Sequence, residues 1–150
     1  MDIQLTANKS VAQITLVLVL LFGLFTGTSA NKDKLDFETD IRSVIEVQLK
    51  AFARGDASTA YAQAAPSIRA KFPTDEIFMM MVRSGYAALI DPRRVNFMEI
   101  IMDQNTPIYQ VSLESRDGQQ WMAFYRMSKQ PEGNWLIEGC VLTRITGQSV

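Results

Sequence analysis

A chain of 150 residues has the size of one domain, able to bury a single hydrophobic core but not two. A composition of 47% hydrophobic and 21% charged residues is globular and excludes a disordered or coiled-coil chain. Fifteen basic residues against sixteen acidic ones leave a net charge of -1, so there is no broad positive field to gather nucleic acid, and no nucleic-acid role is expected.

The amino terminus differs from the rest. MDIQLTANKS carries one lysine, VAQITLVLVLLFGLF is apolar with two polar interruptions, and TGTSA places Thr28 and Ala30 at the -3 and -1 positions of a cleavage site. Residues 1–30 therefore predict a secretory signal peptide cut near Ala30, which makes the mature chain exported, to a periplasm or the extracellular space. Asp2 offsets Lys9, which makes the charged region weaker than usual. The apolar core is shorter than the ~20 residues a bilayer span requires, so no stable membrane insertion is expected after processing. The competing reading keeps the segment around Leu16 to Phe25 as an anchor.

Residues 31–37 read as a short linker, 38–146 as a single domain and 147–150 as a tail. From Phe37 the residues Ile41, Val44, Ile45, Leu49 and Phe52 recur at helical spacing, and Gly55 is a left-handed stop. Asp56 can cap a second, short helix, and Ala65-Pro66 interrupts it before a further turn or two ending at Pro73. Thr74 with Asp75 and Glu76 begins another helix, whose stripe is Phe78, Val82, Tyr86 and Leu89, with Ile77, Met81 and Gly85 beside it. Asp91, Arg93 and Arg94 around Pro92 shape the turn out of the helices. After Pro92 four segments rich in aromatic and β-branched residues are separated by DQNTP, RDG and PEGN, which predicts four strands in an antiparallel meander. Helices first and strands afterwards give an α+β domain with the sheet packed on the helices.

Asp117-Gly118 suggests a two-residue type I′ hairpin. That register sets Tyr109, Val111 and Leu113 opposite Arg126, Phe124 and Met122, and continues through Ile137, Gly139 and Val141. This nearly apolar face is the expected core side. Arg126 interrupts it, beside Tyr109 and opposite Gly139; a guanidinium facing a core needs a partner or water. It is either the anchor of a polar or anionic ligand in a pocket, or a rim residue paired with a carboxylate. The ligand pocket would draw on Arg126, Tyr109, Tyr86, Phe124, Trp135 and Ile137. The other face, with Trp121, Tyr125 and Leu136, is aromatic for a surface facing water and predicts a protein contact, in the first instance a homodimer. A bulge at Gly139 would instead move Cys140 and Leu142 to the side of Trp135.

Histidine is absent and Cys140 is the one cysteine, so Ser-His and Cys-His nucleophiles, the usual zinc site and an internal disulfide are all excluded; neither cofactor nor metal is expected. Cys140 is buried and inert, paired with another chain, or reactive. The acid-base candidates left are Asp103, Glu99 and Glu138, with Tyr86 or Tyr109 as hydrogen-bond donors, and none has a distinguishing spacing.

The stretches DIRSVIEVQLKAFARGDASTAYAQAAPSIRAKF, MMVRSGYAALIDPRRVNF and WMAFYRMSKQPEGNWLIEGC together resemble domain-of-unknown-function family 4864, of the nuclear-transport-factor-2-like superfamily, over residues 38 to 143. The resemblance implies a cone-like α+β fold in which a curved sheet wraps a long helix around a cavity, often as a dimer, and it implies no particular activity. The function expected is an exported, non-catalytic module binding a small ligand or another protein. The alternative is a small isomerase- or lyase-like enzyme using a cavity carboxylate and a tyrosine.

Overall fold

The computed structural model describes residues 28–146, so the expected signal peptide (Thr28 to Ala30 excepted) and the tail lie outside the described residues. Residues up to Leu35 belong to a separate amino-terminal unit, and the side-chain contacts below concern the unit from Asp36 onward. Four helices, α1 (Thr28–Arg54), α2 (Ala57–Ala62), α3 (Pro66–Lys71) and α4 (Asp75–Gly85), and a 3₁₀ turn over Ala87–Leu89 precede four strands: β1 (Arg94–Asp103), β2 (Thr106–Glu114), β3 (Gln120–Lys129) and β4 (Trp135–Arg144). The strands form one open antiparallel sheet in the order β1-β2-β3-β4. Residues 31–37, read as a linker, are helical.

Local chemistry sets the helix ends. Gly55 adopts φ +69, its N–H donates to the Phe52 carbonyl, and the Asp56 N–H reaches back to Ala51, which is a Schellman stop. Asp56 then accepts from the Thr59 N–H at 3.0 Å, and that bond holds its carboxyl below the usual range. Pro66 opens α3, and Thr74 caps α4 by accepting from Ile77. The helices contribute Ile41, Ile45, Leu49, Phe52, Phe78, Met79 and Val82 to one buried cluster with the inner face of the sheet. Each large apolar side chain so buried stabilises the fold by about 1.5–3 kcal/mol.

The strands depart from expectation by a single residue, with large effect. Ser115 bonds Gln119 through a three-residue loop, Arg116 to Gly118, in which the Gly118 N–H donates to the Ser115 carbonyl and Gly118 takes φ +83. This is a type I turn followed by a left-handed glycine, not the two-residue type I′ turn. Leu113 therefore faces Trp121, Val111 faces Ala123 and Tyr109 faces Tyr125. The β3–β4 loop, Pro131 to Gly133, is built the same way, with Gly133 at φ +95. A one-residue slip exchanges the faces of a strand, so Ala123, Tyr125 and Met127 point into the core, while Met122, Phe124 and Arg126 point outward. Energetics favours this solution, because the other register would bury a guanidinium and expose Tyr125 and Met127.

Glu138 is an extra residue in β4: Arg126 pairs with Gly139 while Met127 pairs with Ile137. The bulge brings Ile137, Cys140 and Leu142 onto the core side, and Gly139 and Val141 turn away from it. A second bulge at Met98–Glu99 interrupts β1. The edge of β4 is also engaged at one point, where Ile137 donates to the Gln63 carbonyl and accepts from the Ala65 N–H.

Candidate functional site

The helices and β4 do not close on each other completely. Between α3, α4 and β4, over a floor formed by α1, lies a cavity of about 250 Å³. Its walls are mainly apolar: Phe52, Ile68, Phe72, Phe78, Val82 and Leu89, with Tyr86, Ile137 and Cys140 completing them. The rings of Phe52 and Phe72 stand 6.2 and 6.3 Å from that of Phe78. Lys71 and Glu138, both exposed, also line the space, so it reaches the surface there.

Polar groups in the wall are few and mostly engaged. Tyr86 donates its hydroxyl to the Cys140 carbonyl at 3.1 Å, tying the end of α4 to β4. Burial pushes the Cys140 thiol up to about 12, so it stays protonated and unreactive at neutral pH. Gln48 is only 4% exposed; its Nε2 donates to the Ala60 carbonyl at 3.2 Å, and among the described residues nothing donates to its Oε1. Glu138 accepts from Arg126. Among the described residues no group of three or more His, Cys, Asp or Glu is placed to hold a metal ion.

Of the residues expected to line a ligand pocket, Tyr86 and Ile137 do. The others lie elsewhere. Arg126 is on the outward face of the sheet, where its Nη1 donates to Asp103 at 2.8 Å, its Nε to Glu138 at 3.2 Å and its Nη2 to Thr106 at 3.2 Å. These partners raise its pKa, Asp103 foremost, and leave it no free hydrogen-bonding edge aimed at a cavity. On the outward face Arg126 is paired with carboxylates, and it does not line this cavity. Phe124 is likewise outward, between Gln110 and Val141. Trp135 packs edge-on against Phe37 at 5.3 Å with Lys129 over its ring.

Tyr109 is buried against Phe97 and donates to Glu38 at 3.2 Å, away from the cavity. Burial, then the neighbouring Glu38 carboxylate, raises its hydroxyl pKa. The residues proposed for an exposed interface are also relocated. Tyr125 is fully buried and Leu136 nearly so, while Trp121 packs on the core side, donates to Ser115 and lies under Arg144. The outward face carries instead Ile108, Met122, Phe124 and Val141, with Met98 and Ile101 exposed along β1.

The model of the family described as Domain of unknown function (DUF4864) matches residues 34–150. The chain belongs to this family. No curated protein and no solved structure matches it. Membership in DUF4864 covers the whole helix-and-sheet unit and, being a family without an assigned function, leaves activity to be argued from the cavity itself.

Reading the sequence missed most of that cavity. Ile68 and Lys71 come from a six-residue helix whose only sequence signal is Pro66 at its first turn, Phe72 is its C-terminal cap, and Gln48 sits among apolar stripe positions with nothing to mark it.

Proposed function

We propose that this domain is an exported, non-catalytic module that holds a small, largely apolar ligand in the cavity between α3, α4 and β4. One observation carries the reading: a cavity of about 250 Å³ is walled by aromatic and aliphatic side chains and reaches the surface, with few polar groups to orient a guest. A cavity of roughly 150 Å³ already takes benzene, so this one suits a molecule of one to two rings.

Catalysis is the weaker reading. A general acid or base must exchange its proton near the working pH, yet Tyr86 is committed to a backbone carbonyl and the Cys140 thiol is held protonated. The carboxylate and tyrosine that do meet, Glu38 and Tyr109, are not in the cavity wall. The proposal includes export by the amino-terminal segment, a nuclear-transport-factor-2-like cone as the parent fold, and a homodimer formed through the outward sheet face, where Val141 is 63% exposed.

Native mass spectrometry of the exported protein tests this, with amino-terminal sequencing to locate the cut. A co-purified small molecule, or a rise in melting temperature with added indole, supports the pocket. No co-purified molecule together with an unmoved melting temperature in a large excess of indole overturns it.

A further inference from the structure

Resting on the pocket reading above, the rim of the cavity indicates which chemistry it selects. Two charged side chains line the mouth, Lys71 from the end of α3 and Glu138 from the β4 bulge, and they are not equivalent. Glu138 is partly compensated, because Arg126 donates to it from the outward face at 3.2 Å while also pairing with Asp103 at 2.8 Å. Lys71 forms no ion pair among the described residues. The mouth thus presents one unpaired positive charge beside a hydrocarbon-walled space.

The interior adds two further constraints. Phe52, Phe72, Phe78 and Tyr86 supply ring faces and edges, which favour a flat aromatic body over a flexible chain. Gln48, more than nine-tenths buried and lining the same space, keeps an unpaired carbonyl oxygen that a ligand N–H or O–H would satisfy.

We infer that the ligand is a small aromatic carboxylate, its ring seated among Phe52, Phe72, Phe78 and Tyr86 and its carboxylate at the mouth beside Lys71. A cation in the same place would meet Lys71 unfavourably and find Glu138 already shared with Arg126. A neutral alcohol would bind through the ring alone.

Three indoles of matched size separate these cases: indole-3-acetate, indole-3-ethanol and tryptamine, titrated calorimetrically into the protein and read independently by the rise in melting temperature each produces. Indole-3-acetate is expected to bind tightest. Lys71 is exposed, so Lys71→Gln and Lys71→Glu should fold as the parent does, which an unchanged melting temperature verifies. Lys71→Gln should weaken the acid by about two- to fivefold, the range of an exposed ion pair, without affecting the alcohol, and Lys71→Glu should reverse the order of acid and amine. Equal binding of all three, a preference for tryptamine, or an acid preference that survives Lys71→Glu overturns the carboxylate inference while leaving an apolar pocket in place. If none of the three binds or raises the melting temperature, the pocket reading fails together with it.

Discussion

Replacing Tyr125 by phenylalanine is expected to stabilise the domain, although it deletes a polar group from the centre of the core. The side chain is fully buried, and its hydroxyl has no hydrogen-bond partner among the described residues. Burial pushes the hydroxyl pKa well above its ordinary value, with the neighbouring Cys140 adding to the shift. A buried hydroxyl without a partner forfeits about 1–3 kcal/mol of hydration. The void left by one oxygen costs a few tenths of that, at about 24 cal/mol per Å³. The balance is a gain of about 1 kcal/mol, or roughly 3–6 °C in melting temperature for a domain of this size.

Tyr61→Phe is the control. That hydroxyl donates to the Phe72 carbonyl at 2.6 Å, so its loss is expected to destabilise by about 1 kcal/mol. Urea unfolding followed by the fluorescence of Trp121 and Trp135 measures both variants. A Tyr125→Phe protein that loses as much stability as Tyr61→Phe would mean that the Tyr125 hydroxyl is satisfied, and the argument from its isolation would be wrong.

Two further outcomes test the placement of individual side chains. Because burial raises the Cys140 thiol from 9.0 to about 12, the unfolded chain loses that proton first as pH rises. The stability tied to the neutral thiol is thus complete below about pH 9 and is lost progressively towards pH 12; Cys140→Ala should flatten this part of the stability profile, and an unchanged slope would place the thiol in water. Arg126→Ala should leave the urea midpoint almost unmoved, since its partners Asp103 and Glu138 are about as exposed as it is. A large loss of stability would show that the guanidinium is buried after all.

The helices were legible in the sequence because their signals are local. Gly55, Asp56, Pro66 and Thr74 each act within four residues, and each ends or begins a helix as its chemistry dictates. The existence and order of the four strands were equally readable. Which face of β3 is buried was not, because Asp117-Gly118 suits either a two-residue turn or the last positions of a three-residue loop, and the two choices invert the strand. Composition could not arbitrate, since Met122 and Phe124 on one face are matched by Trp121, Ala123 and Tyr125 on the other. Arg126 was the discriminating signal: the register that buries it is the costlier one. The same inversion removed Arg126 and Phe124 from the candidate site, whereas Tyr86 and Ile137, whose positions do not depend on that turn, remained. Lys71 and Gln48 became visible only when α3 and α1 were brought against β4.

The two outer margins of the sheet are each interrupted. On one, Met98–Glu99 breaks the even spacing of amide and carbonyl groups; on the other, Ile137 is already occupied by the α2–α3 connection, and the Glu138 bulge follows at once. A foreign strand seeking to extend the sheet would find no long, straight template on either side. The domain is therefore guarded against fibril-like stacking, and its associations are left to side chains rather than to the peptide backbone.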